Sequence, residues 1–96
     1  MVSPRLGVRL TPAALKDIQG ARRWYNDRSP GLGDEFLDSS ERAFGQLAES
    51  PRTWPPYYHE TRRYLLHRFP FAVIYRLKSD FTEIAAVAHG RRKPGY

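Results

Sequence analysis

The sequence has no cysteine among its 96 residues, which excludes a disulfide framework, a thiolate zinc site and a cysteine nucleophile together. It also lacks long apolar runs. Stretches such as Ile84 to Ala88 fall far short of the roughly 18–20 residues that cross a bilayer. The opening Met1-Val2-Ser3-Pro4-Arg5 has no apolar signal region, so the expectation is a soluble, cytoplasmic chain with no membrane contact. No glycine-rich phosphate loop is present, because Gly31 and Gly33 have neither the spacing nor a preceding strand. His59, His67 and His89 do not stand at ligand spacing, either from one another or from carboxylates, so neither a metal nor a cofactor is expected. Asp and Glu lie mostly in helical segments, which gives little support to a paired-carboxylate acid/base site.

Carboxylates are in the minority, 10 against 16 Lys and Arg, for a net charge of +6. The imbalance is one-sided. Residues 1–48 hold seven basic and six acidic side chains, while residues 49–96 hold nine and four. Such a field favours an anionic partner such as nucleic acid or an acidic protein. At 41% hydrophobic and 14% aromatic, the chain has enough apolar material for one core, and residues 1–96 read as a single domain.

Apolar residues alternate at Leu6, Val8 and Leu10, which predicts a short first strand. Thr11-Pro12 then supplies an N-cap and a first-turn proline. Ala14, Ile18, Ala21 and Tyr25 recur at helical spacing and predict a helix to about Asn26. Gly20 inside it costs about 1 kcal/mol relative to Ala, and points to close packing there. Ser29-Pro30-Gly31-Leu32-Gly33 breaks the pattern. Phe36, Ser40, Ala43 and Leu47 then predict a second helix, with Asp34 and Glu35 in its first turn and Ser50-Pro51 ending it. The proline-rich stretch 50–58 reads as an ordered loop pinned by Trp54. Strands are predicted at 63–69, 71–77 and 81–89, the last two joined by a turn at Lys78-Ser79-Asp80. In the middle strand Phe71, Val73, Tyr75 and Leu77 share one face. The expected fold is therefore α+β and two-layered, an antiparallel sheet in the order β-α-α-β-β-β with an αα-hairpin packed on one face.

Basic and aromatic residues gather in the sheet and the tail: Arg62, Arg63, His67, Arg68 and Arg76, then His89-Gly90-Arg91-Arg92-Lys93 and finally Tyr96. A basic face interleaved with aromatics can grip a phosphodiester backbone and stack bases. The helical pair has apolar residues beyond one core stripe, Trp24, Leu32, Leu37 and Phe36, which a partner helix could cover. Sheet edges offer a second mode, strand addition.

Three strings carry a family resemblance: Leu10-Thr11-Pro12-Ala13-Ala14, Phe69-Pro70-Phe71-Ala72-Val73-Ile74-Tyr75-Arg76, and residues 86–96 with their His89-Gly90-Arg91-Arg92-Lys93-Pro94-Gly95-Tyr96 ending. Over essentially its whole length the chain resembles the RelE/ParE superfamily of type II toxin–antitoxin toxins. That resemblance implies a small bacterial toxin neutralised by a cognate antitoxin encoded in the same operon, with operator DNA bound only indirectly through the antitoxin. Trp24, Leu32, Phe36 and Leu37 would then be the antitoxin-binding set. RelE-like members cut mRNA on the ribosome, and their site would map here to Arg63, His67, Arg92 and Tyr96. ParE-like members inhibit DNA gyrase, and the target-binding set would be His89, Arg91, Arg92, Lys93 and Tyr96. Ala72 stands where the nuclease subgroup places an arginine, and Leu65 where it tends to place a second basic residue. A methyl group cannot stabilise charge on a scissile phosphate, so the ParE-like reading is preferred. A degenerate member that only binds antitoxin is the third possibility.

Overall fold

The computed structural model describes residues 7–90. Strand β1 (Val8–Leu10) leads into helix α1 (Pro12–Arg28), and α2 (Leu32–Glu49) returns against it. Strands β2 (Arg62–Leu65), β3 (Phe71–Leu77) and β4 (Thr82–His89) complete one four-stranded sheet in the order β1-β4-β3-β2. The mixed α+β fold and the order β-α-α-β-β-β are as the periodicity predicts.

The sheet is not antiparallel throughout. β1 pairs parallel to β4, while β2–β3 and β3–β4 are antiparallel. Parallel neighbours need a long crossover, and the helical pair that follows β1 supplies it.

Local chemistry sets the helix ends. The Thr11 side chain accepts from Ala14 N at 3.1 Å and caps α1, and Ser29 N donates to Tyr25 O at its far end. Gly31 takes φ +90° in the turn, a conformation open to glycine at little cost. At Gly33 the helices nearly touch. Its N–H donates to Asn26 Oδ1 at 2.7 Å, and an added Cβ would press into the Arg22 carbonyl. Gly20, expected to be the close-packed glycine, is exposed and has nothing within 4 Å of its missing Cβ. The tight approach is at Gly33 because that residue sits just after the turn, where the two backbones are still converging.

The core lies between the hairpin and one sheet face, where Phe36, Leu47, Val73, Tyr75 and Ile84 are fully buried. The Phe69-Pro70-Phe71 motif drives two rings into it. Phe36 meets Phe69 and Phe71 at centroid distances of 5.3 and 5.1 Å, and Tyr25 meets Phe69 at 5.1 Å. Such pairs each add about 0.5–1.5 kcal/mol beyond the area they bury. The strand predicted at 63–69 stops at Leu65 for this reason. Leu66 N donates to Phe71 O at 2.9 Å and Phe71 N to Phe69 O at 2.7 Å, so residues 66–70 form a tight turn that swings Phe69 inward.

β4 carries a bulge. Ile74 pairs with Ala86 and Tyr75 with Ile84, leaving Ala85 as the extra residue. Helix α1 holds it: Thr11 Oγ1 donates to Ala85 O at 3.0 Å, and Val87 N donates to Asp17 Oδ2 at 2.9 Å. Among the described residues, no helix is long and apolar enough to cross a membrane.

Candidate functional site

The root of the C-terminal segment is fixed from two sides. Gly90 N donates to Pro70 O at 2.6 Å, and Arg63 Nη2 donates to Gly90 O at 3.0 Å. Arg91, Arg92, Lys93 and Tyr96 lie outside the described residues. His89, the first of the target-binding set, ends β4 with its ring 5.5 Å from that of Phe71. That puts it on the helix-facing side of the sheet, since Phe71 and His89 are register partners.

Among the described residues, several cations are already engaged. Arg22 pairs with Asp34 and Arg68 with Glu35, both at 2.7 Å, and Arg76 with Glu83 at 3.3 Å. The Arg22 hydrogen bond and charge hold the Asp34 carboxyl below the usual carboxylate range. These pairs are substantially exposed and add little stability. Arg62 donates to the Trp54 carbonyl, and at 3.3 Å to that of Arg52. Arg63 spends a donor on Gly90 O and lies over the Tyr57 ring, 5.1 Å from its centroid. No carboxylate pairs with Arg63 among the described residues.

Two of the nuclease candidates come together. Arg63 and His67 line one concavity of about 580 Å³ at the β2 edge, against Trp54, Tyr57 and Tyr64. The aromatic walls are the part the sequence does not disclose. Trp54 is legible as an anchor, but its place opposite Tyr64 (ring centroids 4.7 Å apart) depends on the 54–58 loop folding back along β2. An isolated bridge between Pro56 and Arg62 marks that return.

The partner-facing set divides. Trp24 is 50% exposed and borders a groove of about 680 Å³ between α1 and the end of β4, with Gly20, Ala21, Phe71 and His89. Arg28 stacks on the indole at 3.5 Å and fixes its outward pose. Leu37 lines a separate hollow with Leu10, Leu15 and Phe44. Leu32 packs against the core, half-buried. Phe36 must be struck from the set, because it is 0% exposed and forms the centre of the aromatic cluster. Phe36 is the first residue of the stripe Phe36, Ser40, Ala43 and Leu47, which is the buried face of α2, and Leu37 stays half-buried beside it. Among the described residues, no three His, Asp or Glu side chains meet in a way that could hold a metal ion.

A chain in the solved structure titled "Chromosomal ParDE TA system from P. aeruginosa" has the same fold, with a TM-score of 0.79 over 91% of this chain and 98% of that one. The two are 18% identical, so the likeness is one of fold. Compared with curated proteins, the sequence finds no match. Residues 8–94 match the family model described as "ParE toxin of type II toxin-antitoxin system, parDE". The chain belongs to the ParE toxin family.

Proposed function

We propose that this chain is a growth-arresting toxin that acts in the cytoplasm by inhibiting DNA gyrase, and that a cognate antitoxin from the same operon neutralises it. Family membership supports the reading, and one observation carries the choice of gyrase over mRNA. Ala72 is 3% exposed, paired across the sheet with Leu65 on one side and Ala88 on the other. The resemblance puts the nuclease arginine at this position, and here it is a methyl group among apolar neighbours. Loss of one preorganised donor typically lowers a rate by about 10²–10³. Arg63, the basic residue that is retained, gives one donor to the root of the C-terminal segment.

In this reading the target-binding group is His89 with Arg91, Arg92, Lys93 and Tyr96. The antitoxin covers Trp24 and the groove beside it, and operator DNA is met only through the antitoxin. Supercoiling by purified gyrase in the presence of the chain tests the target. Inhibition is expected, along with loss of growth arrest in the Arg91→Ala, Arg92→Ala double variant that keeps its thermal transition. Unaffected supercoiling together with cleavage of cellular mRNA within translated codons would instead assign the ribosome. Overexpression with no growth defect would assign a degenerate antitoxin-binding member.

A further inference from the structure

The helical hairpin is split by charge. Helix α1 carries four basic and two acidic side chains, whereas α2 carries five acidic and one basic. The split is sharpest on the outer ridges, the faces turned away from the sheet. At about 100° per residue, Lys16 and Arg23 stand opposite the buried Ala14 and Ile18 of α1. Asp38, Glu41 and Glu49 stand away from the buried stripe of α2 in the same way. All five are exposed, and none of them forms an ion pair among the described residues. Between the ridges lies the apolar hollow of about 260 Å³, with Leu15 at its lip 48% exposed. We propose that this face seats a second copy of the chain, in a symmetric dimer whose hairpins pack α1 on α2.

Symmetry makes the charges decide the arrangement. A two-fold interface uses one patch twice, so the patch must be complementary to itself. An axis across the cleft lays α1 on α1 and α2 on α2, like charge on like, which opposes association. An axis along the cleft lays α1 of each copy antiparallel on α2 of the other, and basic ridge meets acidic ridge. The levels also match. Arg22 pairs with Asp34 at 2.7 Å, so the antiparallel run of the helices brings Lys16 level with Ser40 and Glu41. Rotation about the cleft keeps that level and sets Lys16 beside the partner's Glu41.

Apolar burial supplies the rest. Leu15 of each copy faces the hollow of the other, where Leu37 and Phe44 are half-buried beside Val8 and Leu10 of β1. Covering such surface is favourable in proportion to its area. The same pattern rejects other occupants. Nucleic acid and acidic segments, which the rest of this basic chain attracts, are repelled by the carboxylates of α2. A wholly basic partner meets Lys16 and Arg23 instead. The groove assigned above to the antitoxin lies on the other flank of α1, beside Gly20 and Trp24.

Sedimentation equilibrium of the full chain without antitoxin tests the dimer. From about 1 to 100 μM the mean mass should rise from 11.2 kDa towards twice that value. Glu41→Lys and Lys16→Glu each bring like charges together at two symmetric places, and each should weaken the dimer at least about tenfold. The double variant Lys16→Glu, Glu41→Lys exchanges the two signs and should return to within about threefold of the original affinity. Leu15→Glu, at a half-exposed position, should give a monomer that keeps its thermal transition. A mass of 11.2 kDa at every concentration overturns the proposal. So does a dimer that tolerates Leu15→Glu, or a double reversal no tighter than either single one. Neither gyrase nor antitoxin takes part, so the outcome is independent of the toxin's target.

Discussion

Arg63 on β2 reaches across the sheet to the carbonyl of Gly90, 27 residues later, at 3.0 Å. The same glycine is held by Pro70 through its N–H, so the basic C-terminal segment departs from a fixed point. A guanidinium–carbonyl bond of this partly buried kind contributes about 1.5–3 kcal/mol at most, less what water recovers. Arg63→Met should therefore lower unfolding stability by about 1–2 kcal/mol in urea titration and reduce growth arrest further than that loss alone explains. Full toxicity in a destabilised but folded variant would remove the positioning role.

The bulge in β4 depends on a carboxylate from α1. Asp17→Ala leaves the Val87 N–H without its acceptor, a loss of about 1–3 kcal/mol, while Asp17→Asn keeps an oxygen in place and should cost less than about 1. Thermal unfolding of the two variants side by side checks the difference.

Two glycines in the helical pair should respond in opposite directions. Gly20→Ala meets open space and should stabilise by about 1 kcal/mol, the helix-propensity difference. Gly33→Ala drives a methyl into the Arg22 carbonyl and to 2.7 Å from Asn26 Cγ, and should destabilise by several-fold more than Gly20→Ala gains. Chemical denaturation of both variants gives the comparison.

Part of the alkaline sensitivity should trace to Tyr75, burial raising the Tyr25 phenol as well. Burial raises the Tyr75 phenol above the usual value of about 10, the nearby Arg62 charge opposing it, and the hydroxyl donates to Pro51 O at 2.6 Å. A raised folded value leaves stability intact below the unfolded value of about 10 and removes it as pH climbs from there through the folded value. Tyr75→Phe should flatten that alkaline fall while costing about 1 kcal/mol at neutral pH for the lost bond.

Antitoxin affinity should depend on Trp24, whose indole is half-exposed and pinned by Arg28. Trp24→Glu puts a charge on the groove's apolar rim and should weaken the complex at least about tenfold, as loss of an aromatic anchor does. Unchanged affinity in a pull-down titration would move the docking surface elsewhere. The Leu37 hollow is then the next to probe, through Leu15→Glu.

Sequence periodicity alone determined the elements and their buried faces. Thr11-Pro12 started a helix, four-residue spacing gave α1 and α2 their stripes, and alternation through 71–77 assigned Val73 and Tyr75 to the core. These are local matters, set by where a side chain points along one helix or strand. Only the tertiary structure decided the parallel seat of β1, the extra residue at Ala85, the close approach at Gly33 rather than Gly20, and the meeting of Trp54 and Tyr57 with Arg63. Each depends on which distant segment arrives beside a residue. That is fixed by packing two layers at once and leaves no periodic trace in either layer.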